Sequence, residues 1–450
     1  MTTLSVIGLL AAAIIFIVVV WKGMDVFTST ILVSFIIIVT STMNWWDALA
    51  NYASGYCGFI ASQIFVLVIG AVFGELMGAS GAAESIANII TEKLGVKNVI
   101  LSITVISTVF VYVGISGFVV LFVIAPIATV MMKRAGYAYR MIPGIIFIGA
   151  TCSAMLPYAI NVTNTIPAAI ISEQLPDVEV SLGSAPILGI VAFVVSTLVG
   201  YCYMVYAAKK TAIKEGTVVD DTKPVKIVPT RDDLPSVGIA AIPFVAVVVI
   251  VLAFSNVSAL QNLIKVTDPN AIAVFAMFIG CLLLVLLCYK QLVVKDGLKS
   301  IIAKGVDNGV GATVMAAAII GFSTVLQNSI GFEAIKSWVL GFNMNPYITE
   351  FLGLNILAGI MGSGTAAVQT FFQFFTQSLV ANGADPSALH RIAPAAVTGL
   401  NTLPNAGGMV AQLKWMNITL AEGYWYVFIT SVVAPVVGSF VAVLVAIVMY

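Results

Sequence analysis

The chain has 450 residues, 60% of them apolar and only 9% charged, and its mean hydropathy is +1.09. A soluble domain carries roughly a quarter charged residues, so this chain has too little polar surface for a water-facing globule. Formal net charge is zero and no basic stripe interleaved with aromatics occurs, which argues against a nucleic-acid partner.

A helix that crosses a bilayer needs about 20 mostly apolar residues. The first such segment is 4–21. Lys22 follows its apolar run instead of preceding it, so it reads as a retained helix and not as a signal peptide. Further spans are expected at 26–43 and 59–77. The stretch 99–132 is too long for one helix and carries Gly114-Ile115-Ser116-Gly117 at its centre. Lys93 and Lys97 precede it, and Lys133, Arg134 and Arg140 follow it. Basic residues gather on the cytoplasmic side, so the chain enters and leaves there, as a re-entrant hairpin does; two full spans would also return it to that side, but each would have only about 17 residues, at the short limit for a crossing. A span interrupted by Pro157 follows at 141–171, then one at 186–206.

Residues 208–236 hold Lys209, Lys210, Lys214, Lys223, Lys226 and Arg231 and form the one long hydrophilic linker, expected to be cytoplasmic. Beyond it come spans at 237–254, 271–289 and 310–326, with Lys290, Lys295, Lys299 and Lys304 marking another inside loop. The stretch 346–379 is a second hairpin, with Gly362-Ser363-Gly364-Thr365 at its tip. An interrupted span at 392–413 and a last span at 424–449 close the chain. The fold class is therefore an all-α polytopic membrane protein. It is expected to consist of two inverted repeats, 1–207 and 237–450, each with three helices, a hairpin, a broken helix and one more helix. Ser80, Glu84 and Ile86 recur at one constant offset as Ser329, Glu333 and Ile335. The same offset carries Gly114 and Ser116 to Ser363 and Thr365, and Ser153 to Thr402. Both termini are expected outside.

The five cysteines lie in apolar stretches without metal-ligand spacing and read as packing residues. The polar residues that count are those at the breaks. Thr151 to Tyr158, then Asn161, Thr163 and Asn164, surround Pro157; Gly399 to Gly408 surround Pro404. Proline removes an N–H and frees a carbonyl upstream, and irregular backbone survives at membrane depth only where it is buried in protein or lines a cavity. Helix N-termini that begin at breaks or tips present free N–H groups and a positive dipole end. Together with Ser, Thr and Asn donors they suit a small organic anion bearing hydroxyls. The candidate substrate-binding set is Ser116, Gly117, Ser153, Asn161, Asn164, Gly362, Ser363, Gly364, Thr365, Asn401, Thr402 and Asn405. No cofactor is expected beyond a coupling H+ or Na+. Glu75, near the inner end of its helix, is the candidate proton carrier, and sodium could instead sit on freed carbonyls. His390 and Arg391 read as interfacial anchors at a helix entrance.

The run Ala388-Leu389-His390-Arg391, followed by Gly399-Leu400-Asn401-Thr402-Leu403-Pro404-Asn405, resembles the gluconate permease (GntP) family of the larger ion-transporter superfamily. Gly362-Ser363-Gly364 fits that family's second hairpin tip. Tyr112-Val113-Gly114-Ile115-Ser116 and Pro126 are similar to its hydroxybutyrate-type branch. Asn401 and Asn405 stand where the family commonly has Asp and His. The resemblance implies a homodimer in the bacterial inner membrane, with a scaffold domain and a transport domain that moves as an elevator. It also implies symport of gluconate or related hydroxy acids with protons. A cation/proton antiporter on the same fold would want a buried Asp pair, which the sequence lacks. An intramembrane serine protease, suggested by Gly114 to Gly117, would want a histidine inside another helix.

Overall fold

The computed structural model describes residues 2–112, 117–159, 161–214, 233–257, 260, 268–295, 297–341 and 344–450. Among these residues every regular element is helical. The first half begins with α1 (Thr2–Trp21), α2 (Val26–Thr40) and α3 (Trp45–Ala79). Asp25 caps α2 by accepting from the Thr28 amide, and Asn44 caps α3 by accepting from Trp46 and Asp47. At 1.5 Å per residue the 35 residues of α3 extend over about 52 Å. That is far beyond a hydrocarbon core of about 30 Å. The expected span 59–77 is only its most apolar part.

Next comes α4 (Ala82–Leu94), a short helix absent from the sequence reading. Gly95, at φ +79°, lets the chain bend by 107° into α5 (Val99–Tyr112). With α6 (Gly117–Arg134), α5 occupies the expected hairpin region. Their 14 and 18 residues reach about 21 and 27 Å, short of a full crossing. The interrupted span is α7 (Ile142–Cys152), a single 3₁₀ turn at Ser153–Met155, irregular backbone, and α8 (Val162–Gln174). The half ends with α9 (Pro186–Lys214), which runs into the expected linker; most of that linker lies outside the described residues.

Among its described residues the second half repeats this order with one short helix added. It opens with α10 (Val237–Asn256), α11 (Pro269–Leu287), the short α12 (Tyr289–Lys295) and the long α13 (Leu298–Gln327). Lys290, Lys299 and Lys304 therefore sit on helices and not in an open loop. Then come α14 (Ile330–Leu340), the arms α15 (Pro346–Met361) and α16 (Gly364–Ala381), and the broken pair α17 (Pro386–Leu400) and α18 (Gly407–Trp415). The last crossing is α19 (Leu420–Phe428), a π-turn at Ile429–Val433, and α20 (Ala434–Met449). Helix starts follow their caps. Asn345 with Pro346 opens α15, Asp385 with Pro386 opens α17, and Thr419 with Glu422 forms a reciprocal capping box on α19. Seven helices among the described residues, α19 and α20 counting as one, are long and apolar enough to cross a membrane.

Between helices in lipid the hydrophobic effect supplies little, and close packing of small residues takes its place. The centre of the molecule illustrates this. The long helices α3 and α13 run antiparallel: Gly55 lies on Thr324, Gly309 on Val68 and Gly305 on Val72. A methyl group at any of these glycines would strike the facing helix. Two-thirds (67%) of the apolar stretch of α13 is buried against 22% for α10, so α13 is central and α10 peripheral. Of the paired glycines Gly74 and Gly78, Gly74 packs on Trp415 and Phe122, while Gly78 faces open space.

Candidate functional site

The second hairpin tip and the second break meet. Gly362 ends α15 in the left-handed region (φ +59°), and a side chain there would run into the Asn405 carbonyl. Ser363 caps α16, its Oγ accepting from the Ala366 amide at 3.4 Å. The first amides of α16, at Gly364 and Thr365, are left without intrahelical acceptors. Asn405 ties the break to the tip by donating from Nδ2 to the Gly359 and Ile360 carbonyls at 2.8 and 3.4 Å. A Cβ on Gly364 would stand 2.6 Å from Asn401 Nδ2. Behind the tip, Ser323 of α13 donates to the Met361 carbonyl at 2.5 Å and accepts from Gln327 at 3.0 Å. Asn401 Oδ1 is buried and has no partner, and the same holds for Asn355 Oδ1, which lies against Gly399. A buried acceptor without a donor costs about 1–3 kcal/mol, so a donor arriving from outside the chain would be welcome at Asn401.

The first junction is more closed. Ser116 lies outside the described residues. Gly117 opens α6 with nothing within 4 Å of where a Cβ would be. The Tyr112 hydroxyl donates to the Pro157 carbonyl at 3.1 Å, joining hairpin to break. The candidate polar residues here are committed to backbone. Ser153 donates to the Ala150 carbonyl at 3.3 Å, Asn161 caps α8 by accepting from the Thr163 amide at 2.9 Å, and buried Asn164 donates to the Ala159 carbonyl at 2.9 Å.

The two halves interlock crosswise. Gln174 of α8 donates to the Gln373 carbonyl of α16 at 3.2 Å, and Phe122 of α6 stands edge-on to Trp415 of α18 at 4.8 Å. The strongest link corrects the sequence reading. His390 and Arg391 are not interfacial; they are 0% and 1% exposed, because α17 begins at Pro386 and carries both inward. Arg391 donates to the carbonyls of Ser184 (2.9 Å), Leu156 (3.1 Å) and Leu182 and to Asn164 Oδ1 (3.4 Å). His390 Nε2 is 3.0 Å from the Asn164 carbonyl oxygen, to which it donates, while its Nδ1 is buried and unpaired. The guanidinium fork thus ties α17 to the first break at Leu156, to α8 at Asn164 and to the loop before α9 at Leu182 and Ser184.

The remaining candidates divide. Thr365 is exposed beside the tip. Thr402 is buried and turned away from the tip, donating to the Ser431 carbonyl at 3.0 Å. Glu75 is paired across the α3–α13 contact with Lys304 Nζ and Asn308 Nδ2, both at 3.0 Å. One residue escaped the sequence reading: Glu350 on α15, 0% exposed, with both carboxyl oxygens unpaired. A lone acid in a long apolar stretch was the only signal. Two apolar cavities, of about 240 and 510 Å³, lie against α4–α6 and against α1 and α14, and none of the candidate residues lines either.

Residues 3–448 match the GntP family permease. The chain is 26% identical over 412 residues to an uncharacterised transporter, YxjC, of Bacillus subtilis (strain 168), covering 84% of each chain. It is 22% identical over 339 residues to the high-affinity gluconate transporter of Escherichia coli (strain K12), covering 73% of this chain and 72% of that one. Among solved structures it is similar to the YdaH transporter of Alcanivorax borkumensis, with a TM-score of 0.40 at 14% identity, over 87% of this chain and 86% of the other. These names are those of transporters and not of enzymes. With a match that runs from residue 3 to residue 448, this multi-pass membrane protein belongs to the GntP permease family.

Proposed function

We propose that this permease imports small hydroxycarboxylates, such as hydroxybutyrate or gluconate, by symport with a cation. The observation that carries the reading is the junction of α16 with the second break. Free amides at Gly364 and Thr365 and the positive end of an 18-residue helix suit a carboxylate. The unpaired Oδ1 of Asn401, next to Gly364, suits a hydroxyl donor on the same small molecule. An anion without a hydroxyl leaves that acceptor orphaned. Gluconate transport by the relative from Escherichia coli points to the same substrate class.

The repeated order of elements and the crosswise contacts of hairpins with broken helices support two inverted repeats with the site at their interface. The arms that stop short of a full crossing and the extended α3–α13 pair support an elevator, the arms and broken helices moving against a scaffold that dimerises. The lysine-rich 208–236 segment then lies in the cytoplasm and the termini outside.

The test is uptake of radiolabelled gluconate and hydroxybutyrate into proteoliposomes under imposed proton or sodium gradients. A hydrogen bond to a charged ligand contributes about 1.5–3 kcal/mol, roughly ten- to a hundred-fold in affinity. Ser363→Ala should weaken binding by that order, and Asn401→Ala, which removes a bond to a neutral hydroxyl, by about 0.5–1.5 kcal/mol, roughly two- to ten-fold. Uptake of unsubstituted carboxylates at equal affinity, unaffected by Asn401→Ala, would refute the hydroxyl contact.

A further inference from the structure

Glu350 has no structural employment. It lies in the second turn of α15, the arm that leads to the Gly362 tip, and is wholly buried. Neither carboxyl oxygen has a hydrogen-bond partner. The charged groups on the elements packed against this arm are engaged elsewhere; the unpaired buried polar atoms among the described residues there include Asn355 Oδ1 on the arm itself, which can only accept, and His390 Nδ1 on α17, an acceptor while Nε2 donates. On α15 itself, Tyr347 accepts from the Asp385 amide at 2.9 Å. Asp385 caps α17 through the Ser387 and Ala388 amides. Arg391 spends its fork on the first break, and His390 is bonded to the Asn164 carbonyl. Glu333 of α14 pairs with Lys336 at 2.9 Å. On α13, Lys304 pairs with Glu75, and no charged residue lies between Asp307 and the Ser323 contact with the arm. Neither α16 nor α20 carries a charged residue; Tyr450, which follows α20, lies within electrostatic range of Tyr347, as do Asp385 and Glu350 itself.

An ionised carboxylate buried with no partner is far too costly to persist, whereas a neutral acid in the same place loses only its hydrogen bonds. Such a residue is expensive for stability, and an apolar side chain would serve packing better. Its retention on a hairpin arm requires another reason. We infer that Glu350 carries the coupling proton. The carboxylate takes one proton from outside water when the arm is open to it, crosses as the neutral acid in the buried state seen here, and returns that proton to the cytoplasm. One proton then accompanies one monocarboxylate: the loaded carrier bears only the substrate's negative charge inward, the empty carrier returns with Glu350 ionised, and the complete cycle moves no net charge. Glu75 is a poorer candidate, since Lys304 and Asn308 already hold its carboxylate.

This inference rests on the symport reading, and the experiment separates the two. Proteoliposomes with wild type, Glu350→Gln and Glu350→Asp are assayed with labelled gluconate and hydroxybutyrate in two modes: equilibrium exchange, and accumulation driven by a pH gradient with substrate-dependent proton entry. Expected for Glu350→Gln is exchange within about two-fold of wild type, with gradient-driven accumulation and proton entry abolished; Glu350→Asp should retain part of both. Accumulation by Glu350→Gln at the wild-type level, with unchanged pH dependence, overturns the inference. Should wild type exchange neither substrate, the symport reading fails, and Glu350 is judged without substrate. The infrared difference spectrum of wild type against Glu350→Gln at neutral pH should contain a deuterium-sensitive band of a protonated carboxyl. An ionised Glu350 there overturns the proposal. Glu350→Met, apolar and of similar length, should unfold at or above the wild-type temperature. A marked fall would make the carboxyl a structural group and refute its role as carrier.

Discussion

Arg391 is the tie between the two broken helices, and its removal should be felt more than that of any residue at the tip. Four hydrogen bonds radiate from its guanidinium to Ser184, Leu156, Leu182 and Asn164. Bonds from a charged donor contribute about 1.5–3 kcal/mol each. A lysine keeps the charge but cannot span acceptors that lie in several directions, so Arg391→Lys should forfeit at least two of them, about 3–6 kcal/mol. Arg391→Met forfeits all four but recovers the desolvation cost of a buried cation, so its loss should be smaller than the four-bond sum. The carbonyls of Leu156 and Leu182 retain the Ala159 and Tyr158 amides at 3.3 and 2.9 Å. The loosening should therefore centre on Ser184. Thermal unfolding in detergent should show both variants several degrees below wild type, and hydrogen exchange should quicken in residues 181–185. A midpoint for Arg391→Met at or above that of wild type, with exchange unchanged, would refute the idea that this fork holds the break in place.

Other substitutions probe neighbouring parts. Gly189→Ala would push a methyl into the Met155 carbonyl and the Arg391 side chain, so it should lower the unfolding temperature and copy part of the Arg391→Lys defect. Gly362→Ala meets both a left-handed backbone and the Asn405 carbonyl; a stability loss of about 1–3 kcal/mol and strongly reduced uptake are expected. Glu75→Gln breaks a pair whose lysine is two-thirds exposed, worth about 0–1 kcal/mol, and should leave gradient-driven uptake intact in the proteoliposome assay. Single cysteines placed within 208–236 should react with impermeant reagents only from the cytoplasmic side, and those at 173–180 only from outside.

The breaks were legible because their causes are local. Pro157 and Pro404 each remove an amide donor, and the Ser, Thr and Asn around them mark the places where freed carbonyls find partners. The division of 99–132 and 346–379 into two short helices each follows from length, each apolar stretch being too long for one crossing and carrying glycine and hydroxyl residues midway. What stayed hidden depends on tertiary contacts. Asp385-Pro386 correctly marks a helix start, but a cap says nothing of depth, so Arg391 read as a surface anchor while it reaches four acceptors more than 200 positions away in sequence. The short helices α4 and α14 were missed because Glu84, Lys93, Glu333 and Lys336 interrupt their apolar runs. Glu350 was passed over because one acid in an apolar stretch has no pattern; only its burial without a partner distinguishes it.

The candidate polar residues form one set by sequence, and the geometry separates those bonded within the fold from those left free. Pro435, in the first turn of α20, has no N–H to give the carbonyl four residues back, that of Ser431. The helix widens there, so that the Ala434 amide reaches the Ile429 carbonyl five residues back. The Thr402 hydroxyl donates to the Ser431 carbonyl at 3.0 Å. One irregularity is thus satisfied by another, the break after α17 by the π-turn before α20. Thr402→Val would expose this dependence whether or not a ligand binds nearby, so a transport defect in that variant carries no information about recognition. Ser153, Asn161, Asn164 and Asn405 fall under the same argument, since each is bonded to backbone at a break or cap. What remains free to meet an incoming anion is the start of α16, with the Gly364 and Thr365 amides and the proton of the Ser363 hydroxyl, whose oxygen already accepts from Ala366, and the unpaired oxygen of Asn401. Specificity for a hydroxyl beside a carboxylate should therefore reside in the pairing of these two elements, and their separation sets how far apart the two groups of the substrate can be.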